Sequence, residues 1–398
     1  MEQHIQHLYE MLSQVEGFIY PNELELQWGI LIVIYPYITG LVAGAFILAS
    51  LERVFNVKVL KPTYELALLT ALAFLLVAAL PLVSHLARPG RAFRIMITPN
   101  THSAMAIFGF VYSWYLMAVL LLEIWFDYRK SFVVWSRERK GIMKWVYKIL
   151  TLGVMDISPK AIEWDRKIGY FITVIGIPSA FLLHGYVGFI FGSIKANPWW
   201  STVLMPIIFL FSAMVSGIAL VLVIYMAVSY IRRQAIDMKA LDAIARYLFF
   251  MLILDFTLES LDQIHRFYEA EESFEILSLL VSGRLYLTLI VFQVILGTLI
   301  PLVALGTLQL YKPREKIRKA LYLSVSVLVL IGIFFMRWNV VIGGQLFSKS
   351  FRGFTSFKLG LVGSEGVLMG IVWIVLPFII LAFLLWFLPP WKKAEDDI

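Results

Sequence analysis

Cysteine is absent from the 398-residue chain, which excludes disulfides and removes the thiolates that hold iron–sulfur clusters and most structural zinc. Charge is scarce: 15% of the residues are Asp, Glu, Lys or Arg, against about 25% in soluble globular proteins. No Walker, zinc-site or Ser-His-Asp signature is present, and no span carries two histidines at the spacing of a haem stack. The first 27 residues hold five Glu and no Lys or Arg, so the basic n-region of a cleavable signal sequence is missing and none is expected. What fills the chain instead is apolar: 60% of the residues, with a mean hydropathy of +0.82. That excludes a soluble fold. The net charge of +7 then reports membrane sidedness before it reports any polyanionic partner, and nucleic acid is not expected.

A hydrocarbon core of about 30 Å needs about 20 apolar residues in a helix. Runs of that kind lie near 28–51, 64–86, 103–126, 168–190, 202–231, 244–263, 284–308, 321–342 and 365–388, which predicts an all-α integral membrane bundle of about nine transmembrane helices. Alternate connections (52–63, 127–167, 232–243, 309–320 and the C-terminal tail) hold about 23 Lys and Arg, against about 8 on the other side, counted for the positive-inside rule. The N-terminus is therefore expected outside and the C-terminus in the cytoplasm. Three segments follow: an extracytoplasmic amphipathic segment at 1–27, a transmembrane domain at 28–388 and a cytoplasmic tail at 389–398. In the first, Ile5, Leu8, Met11 and Leu12 fall on one helical face, as in a helix lying on a bilayer. In the long connection, Ile142, Trp145, Val146 and Ile149 alternate with basic residues. That suits either a helix on anionic headgroups or a plain connecting helix. Gly40/Gly44 and Gly188/Gly192 are GxxxG pairs, read as close helix packing.

Ionisable residues inside a span cost about 2.5–3.5 kcal/mol on insertion scales, so each invites explanation. Measured from the cytoplasmic start of its span at about 1.5 Å per residue, His85 lies about 30 Å up, His184 and Arg337 about 24 Å, and Glu259 about 22 Å. Such shared depth predicts one polar pocket near the outer surface. The loop HLARPGRAFRIMITPNTHS adds Arg88, Arg91, Arg94, Asn100 and Ser103 beside His85. Three arginines outside run against the charge rule. They suit recognition of an oxygen-bearing ligand or docking of a partner protein, with headgroup contact and helix capping by Asn100 as the plainer alternative. Asp255, Glu259 and Asp262 are spaced i, i+4, i+7 and stack on one helix face. With Arg337 they make a candidate proton-transfer set; ion pairing to Arg266, Arg284 or Arg337 is the structural alternative.

WGILIVIYPYITGLVAGAFILA in the first span, followed by HLARPGRAF and TPNTHSAMAIFGF, resembles the NrfD/PsrC family of quinone-interacting membrane subunits. LLHGYVGFIFGSIKANPWW and MRWNVVIGG are similar to its longer, HybB-like branch, and within that to the DsrP/HmeB subunits of sulfate-reducer transmembrane complexes. The likeness runs from residue 28 over nearly the whole chain. It is most specific in the Arg-Pro loop and the span-one glycines, and looser after residue 240. That branch usually has ten spans, and here a surface segment stands in place of the first. The resemblance implies no haem or cluster in this chain, exchangeable menaquinone near the outer face, and electron exchange with an extracytoplasmic ferredoxin-like iron–sulfur subunit. It also implies further membrane and redox subunits in the same complex. Tyr35 and His184 match positions that face the quinone in relatives, and the Arg-Pro loop supplies His85 and Arg88. Asn100 and Ser103 complete the expected quinone-binding set, while Arg91 and Arg94 are the expected docking residues. Ile32 stands where some relatives carry Asn.

The function expected on these grounds is the membrane anchor and menaquinone-binding subunit of a respiratory oxidoreductase in anaerobic sulfur, sulfite or hydrogen metabolism. It is not a stand-alone enzyme. Two other readings remain. A secondary ion-coupled transporter would use the acids of span six, but such proteins commonly show internal repeats and midplane sites, and here no repeat is visible. A purely structural anchor would not require His184 or Glu259 within the membrane. Co-purified menaquinone and iron–sulfur partners separate the first reading from both.

Overall fold

The computed structural model of the chain describes residues 2–98, 100–103, 106–107, 110, 112, 114–269, 273–363 and 365–392. Part of the expected span at 103–126, the tip of the 264–283 connection and residues 393–398 of the expected tail lie outside them.

The chain is a helical bundle in which the apolar runs at Ile30–Arg53 and Met205–Ile231 are the most buried and the most apolar one, Val367–Lys392, lies at the periphery. After α1 (Glu2–Leu12) and strand β1 (Glu16–Phe18) come α2 (Ile30–Arg53) and α3 (Tyr64–Ala78), the latter extended by a short helix at Leu80–His85. A π-helical stretch at Tyr115–Leu121 leads into α4 (Leu122–Glu138), followed by α5 (Ile142–Leu150) and α6 (Pro159–Gly192). Next are α7 (Met205–Ile231) and α8 (Met238–Glu269), then a second π-helical stretch in two pieces, Leu280–Arg284 and Tyr286–Leu299, that runs into α9 (Ile300–Leu310). Helix α10 (Glu315–Val341), strand β2 (Arg352–Phe354) and α11 (Val367–Phe387) complete the order. Local sequence marks some boundaries. At the start of α6, Ser158 accepts a hydrogen bond from the Ala161 amide and Pro159 takes the first helical position, where a missing N–H costs nothing.

Seven segments among the described residues are long and apolar enough to cross a bilayer: Ile30–Arg53, Lys58–His85, Pro159–Gly192, Met205–Ile231, Tyr286–Leu310, Glu315–Gln345 and Val367–Lys392. The chain is a multi-pass integral membrane protein. The expected span at 244–263 is helical, inside α8, but Asp255, Glu259 and Asp262 make it more polar than those seven. The expected span at 103–126 is described only in part.

Helices α2 and α7 form the centre. A Cβ on Gly44 would lie 2.8 Å from the Cα of Gly217 and against the Ala213 carbonyl, so the two backbones touch and only glycine fits the crossing. Helices α3, α6 and α10 pack against α2, and α6, α8 and α10 against α7, with α4 laid on α6 and the second π stretch on α10. The glycine pair at 188 and 192 seats the end of α6 on residues 202–209 at the start of α7.

Charge separates the two ends. At one end Arg53 pairs with Asp127, Arg129 with Asp165 at 2.5 Å, and Arg318 with Asp242 at 2.5 Å. Here α5 buries Tyr147 against Phe387 but leaves Ile142, Trp145 and Ile149 exposed. At the opposite end Trp28 stacks on Trp200, and Trp199 and Trp200 donate to the Asn339 and Val340 carbonyls. There the N-terminal segment is strapped down. β1 pairs antiparallel with β2, Gly17 opposite Gly353, Ser350 donates to the Phe18 carbonyl at 2.6 Å, and Glu16 pairs with Arg284.

Candidate functional site

A guanidinium in the middle of an apolar bundle needs partners for its donors, and Arg337 finds them across three helices for its two terminal nitrogens, while its Nε has none among the described residues. From α10, its Nη2 donates to Ser212 Oγ on α7 at 2.6 Å and to His184 Nε2 on α6 at 3.0 Å, with the Phe209 carbonyl at 3.4 Å. Its Nη1 reaches Met336 Sδ at 2.9 Å, and the cation lies 4.0 Å from the Phe209 ring centre. Arg337 and His184 are both 0% exposed. Arginine offers donors only, so His184 accepts at Nε2 and carries its proton on Nδ1. That Nδ1 has no hydrogen-bond partner among the described residues. The arrangement holds an imidazole donor in a fixed orientation, with its ring stacked on Phe209 at 5.7 Å.

Room for the imidazole comes from α2. A Cβ on Gly40 would sit 3.1 Å from His184 Cε1. Of the first GxxxG pair, Gly44 serves helix packing as expected, whereas Gly40 faces the candidate site. Tyr35, a little over one turn nearer the start of α2, is buried, and its phenol has Tyr112 and Tyr186 as electrostatic neighbours. Tyr186 follows His184 by two residues on α6. A phenol and an imidazole are thus presented between α2 and α6.

On the far side of Arg337 lies the acidic face of α8. Glu259 accepts from Gln293 Nε2 at 3.1 Å, and Gln293 Oε1 accepts from Asn339 Nδ2 at 2.8 Å. Gln293 belongs to the second π-helical stretch, and such stretches are frequent at functional sites because they re-aim side chains. Asp255 is buried, and its Oδ1 has no partner among the described residues. Asp262 instead pairs with Arg266 one turn on, at 2.9 Å, which is the structural alternative seen in the spacing. A cavity of about 390 Å³ opens beside this face, lined by Glu259, Gln293, Asn339, Trp199 and Met336 among others.

The remaining expected site residues lie apart. His85 Nδ1 is 2.7 Å from Glu365 Oε1, just before α11. Arg88, Arg91, Arg94 and Asn100 are exposed, and the Asn100 side chain accepts from the His102 amide at 3.1 Å. Ser103 is half-buried, and its amide bonds the Asn100 carbonyl at 2.9 Å. These contacts tie the loop to itself and to the stretch before α11, while His184, Arg337, Glu259 and Asp255 converge in the interior. Ser212, Gln293, Asn339 and Glu365 were not singled out by sequence. Only Gln293 and Asn339 carried a signal, as amides inside apolar runs.

Comparison with known proteins bears on what this arrangement serves. A family model described as polysulphide reductase, NrfD, matches residues 21–349. A selenate reductase subunit of Mesobacillus selenatarsenatis is 36% identical over 205 residues, 50% of this chain and 47% of that protein. A putative dimethyl sulfoxide reductase membrane subunit of Halobacterium salinarum is 26% identical over 326 residues, 80% of this chain and 69% of that one. The protein NrfD of Escherichia coli is 26% identical over 219 residues, 53% of this chain and 63% of that protein. The chain thus spans about half the length of the first of these relatives and less than two thirds of the third.

Proposed function

The chain belongs to the NrfD polysulphide reductase family, and from that premise we propose that it is the quinone-binding membrane subunit of a respiratory oxidoreductase complex. The observation that carries this reading is the buried contact between His184 and Arg337 beside Gly40. It fixes a hydrogen-bond donor in apolar surroundings, within a helix pair that also presents Tyr35. An exchangeable quinone is a flat apolar head with two carbonyl acceptors, and it needs apolar walls and a few fixed donors. His184 Nδ1 and the Tyr35 phenol supply donors. Menaquinone is the quinone that the family resemblance favours.

In this reading the bundle has nine spans, with α8 and the partly described helix before α4 added to the seven. The end bearing Arg53, Arg129 and Arg318 faces the cytoplasm, and the end bearing the N-terminal strap faces out, as the charge count favours. The chain has no cysteine, so electrons reach or leave the quinone through an iron–sulfur subunit docked outside, near the exposed Arg88, Arg91 and Arg94. Asp255 and Glu259, with Arg337 between them and His184, exchange the protons that accompany the electrons. His85, Asn100 and Ser103 act at the mouth of the site rather than on the quinone head. Anaerobic sulfur-compound or hydrogen metabolism is the setting most in keeping with the resemblance.

The test is menaquinol-dependent reduction of the partner's clusters in the purified complex, with bound quinone quantified by extraction. Stoichiometric quinone and quinol-dependent reduction support the reading. A complex without quinone that reduces no cluster, or a lone chain that moves an ion across liposomes, would contradict it.

A further inference from the structure

A further buried acid sits away from the candidate quinone site, and none of the roles above uses it. Glu123 lies at the start of α4 and is 0% exposed. Its Oε1 accepts from Thr173 Oγ1 of α6 at 2.7 Å and from the Tyr64 phenol of α3 at 3.1 Å. Its Oε2 has no partner among the described residues. The same phenol, whose one hydrogen serves one carboxylate at a time, also reaches Asp127 Oδ2 at 2.7 Å and accepts from Arg53 Nη1 at 2.7 Å, and Arg53 is itself paired with Asp127. Arg53 also lines an open cleft of about 530 Å³ with Glu52, Asn56, Arg166, Lys167 and Tyr170. A chain of hydrogen bonds therefore leads from Arg53 on the wall of that cleft to Asp127, and from Asp127 through one phenol to a sealed carboxyl.

The groups facing Glu123 are Arg53 from α2, Tyr64 from α3, Asp127 one turn along its own helix, Thr173 from α6 and the buried phenol of Tyr115. Only one of them is a cation, and Asp127 already balances it. Glu123 is thus the member of the cluster whose charge can change without stranding an opposite charge, and a buried acid without its own cation is costly to ionise. Thr173 and Tyr64 need only one of its oxygens, which leaves the other for a proton.

We propose that Glu123 is a proton-carrying acid loaded from the cleft at the basic end, with Tyr64 as the relay between Asp127 and Glu123. In the loading step a proton arriving from the cleft side passes through Asp127 without resting there: Asp127 hands it to the Tyr64 oxygen as Tyr64 releases its own to Glu123, and Asp127 is left ionised opposite Arg53. The phenol is regenerated, and one proton has moved inward. The Tyr115 phenol lies beyond Glu123, and its oxygen has no partner among the described residues. In the orientation given under Proposed function, the loading side is the cytoplasm. The exchange test below does not depend on that reading, and the turnover test does.

Infrared spectroscopy of the purified protein reads the carboxyl directly. The band of a protonated carboxylic acid that disappears in Glu123→Gln belongs to this group. On transfer to heavy water that band shifts within mixing in the native protein, and about tenfold or more slowly in Tyr64→Phe, which keeps the ring but breaks the relay. No band lost in Glu123→Gln, or an exchange rate unchanged in Tyr64→Phe, would overturn the proposal. Should Glu123→Gln fail to fold, Glu123→Asp moves the same band without removing it, and the Tyr64→Phe comparison still decides. In liposomes with the pH of each side set separately, quinol-dependent turnover then follows the pH on the basic-loop side. Turnover that responds only to the opposite side counts against loading from the cleft. Absence of any quinol-dependent turnover in the native complex contradicts the proposed function alone and leaves the exchange test to decide this inference.

Discussion

Replacing His184 by Phe keeps a flat ring and removes both nitrogens, and the structure sets the scale of each consequence. Arg337 loses one acceptor but keeps Ser212 Oγ at 2.6 Å, the Phe209 carbonyl and Met336 Sδ. Losing a hydrogen bond to a buried charge costs about 1.5–3 kcal/mol. Stability of the chain should fall by that amount, within the reserve of about 5–15 kcal/mol typical of folded domains. The new ring stacks on Phe209 as the imidazole does, and Gly40 leaves it space. Assembly of the complex is therefore expected to survive. Quinone binding loses the Nδ1 donor, worth about 1 kcal/mol for a neutral hydrogen bond and so about a fivefold to tenfold weaker affinity. Electron transfer is expected to fall much further, because the head is no longer oriented. Ser212→Ala is the control: it removes a different Arg337 partner at comparable cost and leaves His184 in place. The assay is menaquinol-dependent cluster reduction in purified complex, with bound quinone and melting temperature measured on the same samples. Normal rate and normal quinone content in His184→Phe would refute the argument. Equal losses in Ser212→Ala would show that Arg337, and not the imidazole donor, carries the effect.

Four further outcomes are expected. Gly40→Ala places a methyl 3.1 Å from His184 Cε1 and should lower quinone affinity while leaving assembly intact; unchanged affinity by titration would remove Gly40 from the site. Glu259→Gln keeps the shape that receives Gln293 but cannot carry a proton, so turnover should slow more than quinone binding weakens, and the reverse pattern would make Glu259 a binding residue only. Reversing Arg91 and Arg94 to Glu should weaken recovery of the iron–sulfur subunit with the membrane chain, and undiminished co-purification would dismiss the docking role. A reporter active only in the cytoplasm should work when fused near Lys140 and fail near Asn100 or Ser350, and activity at Asn100 would invert the orientation.

The helical bundle is legible in the sequence because bilayer-length apolar runs have few alternatives. The buried ionisable groups are equally legible, since each violates its span. Their partners are not. His184 and Arg337 are 153 residues apart, and only the packing of α6, α7 and α10 brings them together with Ser212. Depth along a span placed His85 near the same level, but α3 ends at Ala78 and the short helix after it turns His85 toward Glu365. The i, i+4 spacing of Asp262 and Arg266 did foretell a pair, because one helix face needs no tertiary information. Gly40 was readable only as a packing glycine, since the imidazole it makes room for belongs to His184 on α6, far away in the sequence. Glu123 and Asp127 carried an i, i+4 signal too. Their meaning depends on Arg53 and Tyr64, which arrive from two other helices.

The central claim is that a quinone head sits between α2 and α6, against Tyr35 and His184. Photolabelling of the intact complex with a menaquinone analogue bearing a photoreactive group on its ring, followed by peptide mapping, tests it most directly. Label on residues 30–44 or 180–188, displaced by excess menaquinone, is the predicted result. Label confined to the cavity lined by Glu259, Gln293 and Asn339, or label that excess menaquinone does not displace, would contradict the claim.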